Sequence, residues 1–257
     1  MTIDKDFLFA LADAAARETL PRFRQKSTIE NKFEVGFDPV TEADRAAERA
    51  IRALIEQKYP DHGILGEEYG GVGLDRRHVW VIDPIDGTRA FISGLPVWGT
   101  LIGLKRDNLA ISGLMAQPFT GELFYALEGK SFLNKDGVEH VLQTRETKRL
   151  QDATMFTTTP HLFKGRDREQ FDHLESKVLL SRYGCDCYAY AMLAAGYADL
   201  VVETGLKPYD IVALIPIIEN AGGVITCRDG SRPEKAGDII AAATPELHRA
   251  AIELMNS

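Results

Sequence analysis

Apolar residues in this chain recur with two different periods, and the alternation between those periods lays out its elements. Phe7, Leu8, Leu11, Ala14 and Ala15 fall at helical spacing, and Pro21 ends that first helix. Ala43, Ala46, Ala47, Ala50, Ile51, Leu54 and Ile55 make a second apolar stripe, with Thr41 as its N-cap and Asp44 in its first turn. Val79-Trp80-Val81-Ile82 is a short unbroken apolar run, the pattern of a buried strand. From Val97 to Leu127 short apolar runs alternate with glycine and polar breaks, which predicts an antiparallel meander. Asn134-Lys135-Asp136-Gly137 is a turn signal. Residues 154–159 read as a strand, 167–176 as a helix, 188–196 as a short buried helix and 200–203 as a strand. Residues 211–220 read as a helix, with Gly222 or Gly223 as its left-handed C-cap. A strand at 239–243 and a helix at 245–255 complete the pattern, which contains no internal repeat. The fold class is therefore mixed α/β (α+β). One domain spans 1–257, and a loop at 144–149 divides it into two lobes of about 1–146 and 147–257.

Composition narrows the functions. With 257 residues, 45% hydrophobic and 26% charged, the chain can bury a full core. A formal net charge of −8 argues against a nucleic-acid backbone as the main partner. It does not exclude a phosphate ester, because cations can bridge two anionic partners. Three cysteines cannot all pair within one chain, and Cys185-Asp186-Cys187 lacks zinc-site spacing, so free thiols in a reducing cytoplasm are expected. Asp4, Lys5, Asp6 and Asp13 interrupt any secretory signal pattern, and no apolar run is long enough to span a bilayer.

The chemistry concentrates at Asp83-Pro84-Ile85-Asp86-Gly87-Thr88, where the buried strand ends. Pro84 removes a backbone donor there, and Gly87 lets the backbone approach a ligand. Two carboxylates this close repel unless a proton or a cation intervenes, and oxygen-only ligands suit Mg²⁺. Taken alone, the hexapeptide is also what a strand running into an acidic turn looks like. Two further segments share its grammar: Gly66-Glu67-Glu68 after Ile64-Leu65, and Pro208-Tyr209-Asp210 before an apolar run that closes with Ala221-Gly222-Gly223. Three apolar stretches that each end in a carboxylate at a turn point to one convergent cation site. Neither a cysteine-phosphatase loop nor a Walker lysine loop is present in the sequence.

In these segments the chain resembles the inositol monophosphatase family of Mg²⁺-dependent, lithium-sensitive phosphatases, over nearly its whole length and in the same order. Gly184-Cys185-Asp186-Cys187-Tyr188 and the segment from Glu203 to Asp210 look most like the histidinol-phosphate phosphatases of that family. The resemblance implies layered sheets and helices with the site between two lobes. It implies metal ligation by Glu67, Asp83, the Ile85 carbonyl, Asp86 and Asp210, for two or three Mg²⁺ ions, with Glu67 also holding the attacking water. Thr88 and Asp44 resemble the family's water-activating pair, Asp44 accepting from the Thr88 hydroxyl; the plain reading of Asp44 is a helix-start charge. Together with Glu67, these two residues make the expected catalytic set. Substrate contacts fall to Glu67, Asp86, Gly87, Thr88, Asp186 and Glu203, with the Gly87 and Thr88 backbone donors orienting the phosphate. Asp186 has two readings, a carboxylate for a cationic substrate or the cap of the helix that follows. Lys32 falls on a lid over the metals or is simply an exposed lysine, Glu68 behind the metals or in solvent, and Arg89 on substrate or in an ion pair. The six histidines carry no metal-like spacing. Implied overall is a Mg²⁺-dependent phosphate monoester hydrolase acting on a small phosphorylated substrate, foremost histidinol phosphate in histidine biosynthesis. A cytoplasmic homodimer is implied with it. Inositol 1-phosphate or another sugar or nucleotide monophosphate is the alternative, and a non-enzymatic RNA- or transcription-associated binding role is a second one.

Overall fold

A computed structural model describes residues 3–25, 30–31 and 39–257 of the chain. Lys32 lies outside these residues. A short ladder pairs β1 (Glu30–Asn31) with β2 (Pro39–Val40). The larger sheet is built from β3 (Gly63–Gly66), β4 (Gly70–Val72), β5 (His78–Asp86), β6 (Gly99–Arg106), β7 (Leu109–Gln117), β8 (Glu122–Leu127), β9 (Lys130–Lys135) and β10 (Val138–Val141). Its order is β10-β9-β8-β7-β6-β5-β3-β4, so the expected meander forms the run from β6 to β10. The smaller sheet has the order β12-β11-β13-β15-β14, from β11 (Thr154–Thr157), β12 (Leu180–Tyr183), β13 (Leu200–Leu206), β14 (Val224–Cys227) and β15 (Gly237–Ala242).

The helices fill the faces of both sheets. On one face of the larger sheet, α1 (Lys5–Thr19) and α2 (Glu42–Lys58) bury Leu8, Leu11, Ile51 and Ile55 against Trp80, Ile82, Ile102 and Leu114. A five-residue helix, α3 (Thr88–Ile92), follows β5. The outer face of the smaller sheet is covered by α4 (Gly165–Glu175) and α8 (Pro245–Met255), through Phe171, Leu174, Leu247 and Ala251. Between the sheets lie α5 (Asp186–Ala194), α6 (Pro208–Ile211) and α7 (Leu214–Asn220), packed on Leu101 and Met115 from one sheet and Val201 and Ala241 from the other. Helix, sheet, helix, sheet and helix thus alternate as layers. Each central strand is covered on both faces, which is why its sequence is an unbroken apolar run.

Two sequence expectations need correction here. The helix read at 211–220 is two helices, broken at Val212 and Ala213. Pro216 is the cause, because it has no N–H to give the carbonyl of residue 212 and its ring crowds that carbonyl. The break settles onto a bare patch of the larger sheet, where Gly103 pairs with Gly113. A Cβ on Gly113 would lie 1.8 Å from the Ala213 carbonyl oxygen, and one on Gly103 2.8 Å from the Ala213 nitrogen. These glycines let α6, and with it Asp210, come down onto the strands. The second correction moves the start of α5 from 188 to Asp186. The C-cap was legible: Gly222 is left-handed at φ 97° and the Gly223 N–H returns to the Ile218 carbonyl at 3.0 Å. No helix among the described residues is long and apolar enough to cross a membrane.

Candidate metal and phosphate site

Two residues three apart on a regular strand point to opposite faces, so Asp83 and Asp86 should diverge. They converge because β5 carries one extra residue. Asp83 stands opposite Leu101 and Asp86 opposite Gly99, three steps on β5 against two on β6. Pro84, which could not donate to the ladder, sits inside this bulge, and its carbonyl is held by the Thr100 hydroxyl at 2.8 Å. Asp83 Oδ1 accepts the Ile85 N–H at 3.1 Å, closing the turn from within. Asp210 arrives from the opposite side on the first turn of α6, its Oδ2 accepting the Lys207 N–H at 2.7 Å. Asp83, Asp86 and Asp210 then each present an oxygen within 4.8 Å of the other two.

Glu67 joins them through the parallel neighbour strand. Its N–H bonds the Ile82 carbonyl at 3.1 Å, continuing the β3–β5 ladder by one residue, and its carboxylate acts on Asp83. The turn it sits in is braced by a residue the sequence reading missed. Glu48 of α2 is fully buried, pairs with Arg52 at 2.7 Å, and accepts the Glu68 N–H at 2.7 Å. A helical acid followed four residues later by Arg was the available signal.

Burial and mutual repulsion act together on the cluster. Burial drives the Asp83 carboxyl far above its usual range, helped by Glu67, Asp86 and Asp210. Asp86 moves the same way, by burial and by the charges of Asp186 and Asp210. Hard oxygen donors that crowd until they hold protons are a donor set suited to a small divalent cation, which relieves the same repulsion. Ile85 lines the same cavity.

The proposed Thr88–Asp44 contact is not formed among the described residues. The Thr88 hydroxyl donates to the Ile85 carbonyl at 3.1 Å, while Asp44 Oδ2 accepts the Thr41 N–H at 2.8 Å and its hydroxyl at 2.7 Å. This is a helix-start capping box, the plain reading of Asp44. Its Oδ1 is buried without a hydrogen-bond partner among the described residues, and burial raises the carboxyl to about 6.

The cavity holds about 300 Å³ and extends from the acid cluster to the smaller sheet. There a second strand bulge presents Glu203: Glu203 pairs with Ile239 and Leu206 with Gly237, again three steps against two. Glu203 Oε1 accepts the Thr158 N–H at 2.5 Å, and burial raises its carboxyl to about 8. Asp186 does not cap α5 with its side chain. Its Oδ1 instead accepts the Thr158 hydroxyl at 3.3 Å, and the cap bond at Cys187 N–H comes from Asp86 across the cavity, at 2.6 Å. Asp186 also closes on Gly87, where a Cβ would lie 2.9 Å from its Oδ2; Gly87 is left-handed at φ 82°, so glycine is required twice over. Arg89, predicted near substrate, lines the cavity and lowers the Asp186 carboxyl against the larger effect of burial.

Thr158, Leu162 and Tyr190 line the cavity without having been singled out in the sequence. Tyr190 is buried, its hydroxyl lacks a hydrogen-bond partner among the described residues, and Glu203, Asp86 and Asp210 act on it. Trp98 packs in the core against Phe23 and Phe91. His62 and His78, read as unrelated, stack at 4.7 Å, and His62 Nδ1 accepts the Trp80 indole N–H at 3.0 Å.

Comparison with known proteins gives a consistent picture. The pattern of the inositol monophosphatase family matches residues 4–257. The chain is 41% identical over 256 residues to "Bifunctional phosphatase IMPL2, chloroplastic" of Arabidopsis thaliana, covering 95% of this chain and 72% of that one. It is 37% identical over 225 residues to a histidinol-phosphatase of Chlorobaculum parvum, covering 87% and 85%. Among solved structures it is similar to an inositol monophosphatase from Zymomonas mobilis, with TM-score 0.86, 40% identity and 98% of each chain covered.

Proposed function

Because the chain belongs to the inositol monophosphatase family, a family of phosphatases, we propose that it hydrolyses a small phosphate monoester with Mg²⁺, and that histidinol phosphate is its substrate. Glu67, Asp83, Asp86, Asp210 and the Ile85 carbonyl would hold the metal. When bound, Mg²⁺ supplies positive charge for the ester dianion and acidifies water. The Gly87 and Thr88 backbone donors would orient the phosphate, and Glu67 the attacking water. The Thr88 hydroxyl and Asp44 Oδ1, which has no partner among the described residues, would complete the water-orienting pair once the Ile85 carbonyl is engaged elsewhere. Water then attacks phosphorus, the P–O ester bond breaks, and the alcohol leaves with a proton. Assembly as a homodimer in the cytoplasm belongs to the same proposal, on family resemblance.

One observation supports the choice of substrate. Asp186 and Glu203 meet through Thr158 on the smaller-sheet side of the cavity, and burial raises both carboxyls. A cationic group relieves that burial cost by restoring charge to both acids, whereas a neutral polyol does not. The amine and imidazole of histidinol phosphate supply such a cation. Inositol 1-phosphate is the second reading, carried by the similarity to the Zymomonas mobilis structure. Phosphate release should be measured for both esters and for glycerol phosphate, with wild type and Asp186→Asn. A higher kcat/KM for histidinol phosphate, lost mainly through KM in Asp186→Asn, is expected. Preference of the wild type for inositol 1-phosphate would overturn the substrate while leaving the phosphatase intact.

A further inference from the structure

Resting on the reading of Asp186 as the group that selects a cationic substrate, we propose that Thr158 is the positioning residue that sets this selectivity. Thr158 follows β11 at the wall of the cavity and reaches both Asp186 and Glu203 at once. Its N–H holds Glu203 Oε1 at 2.5 Å and its hydroxyl holds Asp186 Oδ1 at 3.3 Å. The chain around it also fixes the segment that carries Asp186: the Gly184 N–H bonds the Thr157 carbonyl at 3.2 Å and the Thr158 carbonyl at 3.0 Å. Asp186 itself is left-handed at φ 43°, a conformation that aspartate tolerates better than most residues but does not prefer. Its side chain would otherwise be free to rotate toward its own helix start, the ordinary use of an aspartate there. The Thr158 hydroxyl holds Oδ1 on the smaller-sheet side, and Oδ2 is left against Gly87, facing the cavity. Thr158 thereby sets the separation and orientation of two carboxylates that come from different elements.

The test uses Thr158→Val, which keeps the branched shape and the backbone donor to Glu203 but removes the hydroxyl, and Thr158→Ser, which restores it. Both are assayed beside Asp186→Asn and the Thr158→Val/Asp186→Asn double variant, with histidinol phosphate and glycerol phosphate. Thr158→Val is expected to raise KM for histidinol phosphate about fivefold to tenfold, as for loss of one ordinary intramolecular hydrogen bond. Its kcat and its glycerol phosphate kinetics should move far less, and Thr158→Ser should return KM most of the way. The double variant should be no worse than Asp186→Asn alone, because the hydroxyl acts through that carboxylate. Additive effects, equal losses on both esters or failure of serine to rescue would assign Thr158 a merely structural role and overturn the inference. If Asp186→Asn weakens histidinol phosphate and Thr158→Val does not, this inference alone fails. If Asp186→Asn has no selective effect, the substrate reading fails and the inference with it.

Discussion

Asp210→Asn should make the metal-free protein more stable and almost blind to Mg²⁺. Asparagine keeps an oxygen that can accept the Lys207 N–H, so the start of α6 is retained. What disappears is one of three charges whose oxygens lie within 4.8 Å, and at an effective dielectric of 20 each such pair repels by ~3.5 kcal/mol. Much of that repulsion is already relieved, because Asp83 and Asp86 are pushed toward protonation and Asp210 is partly exposed. A net gain of about 1–2 kcal/mol remains, or roughly 3–6 °C in Tm for a chain of this size. In the wild type, Mg²⁺ at about 100 times its Kd should add ~2.7 kcal/mol, and in the variant most of that should be lost. Differential scanning calorimetry with chelator and with Mg²⁺ reads both effects, and phosphate release should fall by orders of magnitude in parallel. A lower metal-free Tm together with an undiminished response to Mg²⁺ would refute the placement of Asp210 in the cluster.

Three other outcomes follow from single groups. Thr88→Val should lower kcat at least tenfold while the Mg²⁺ concentration for half-maximal stabilisation stays within about threefold; an unchanged kcat would make Thr88 purely structural. Glu203 is raised to about 8 from an unfolded value near 4.5, so its neutral form stabilises the fold fully below about pH 4.5 and that contribution is lost as pH rises through about 8. The metal-free Tm should therefore fall from about pH 5 to about pH 9, and Glu203→Gln should flatten the decline; an equal slope in the variant would contradict the burial. Tyr190→Phe removes a buried hydroxyl with no partner among the described residues, so the metal-free Tm should hold or rise by about 2–4 °C, and a clear fall would show that the hydroxyl is bonded in the fold.

Local signals were legible in the sequence, and long-range ones were not. The apolar run into Asp83, the Thr41–Asp44 helix start and the Gly222 C-cap each depend on neighbours within a few residues, and each formed. Asp83, Asp86, Glu67 and Asp210 were singled out because each borders an apolar stretch, and the fold brings oxygens of Asp83, Asp86 and Asp210 together. Asp86 capping α5 from 101 residues away has no local mark at all. Nor does Thr158, an ordinary strand-end threonine until Glu203 and Asp186 are brought beside it. The pairing of Gly103 with Gly113 was hidden for the same reason, since only sheet register makes one bare patch of two glycines. Pro216 was visible and under-read: helical periodicity on either side of it masked the break it causes.

The extra residues in β5 and β13 give the cavity an odd–even logic. Along a strand, facing is decided by counting, and each added residue inverts the count for everything beyond it. Asp86 points into the cavity only because the tally from Asp83 has been shifted by one, and Leu206 and Gly205 follow Glu203 under the same shift. The length of each segment therefore carries chemical information that residue identity does not. Exchanging Pro84 or Thr204 for another residue leaves the count intact. Pairing either extra residue into its ladder as an ordinary step would turn the following side chains to the wrong side, so that a chain with every acid still present would have lost the site.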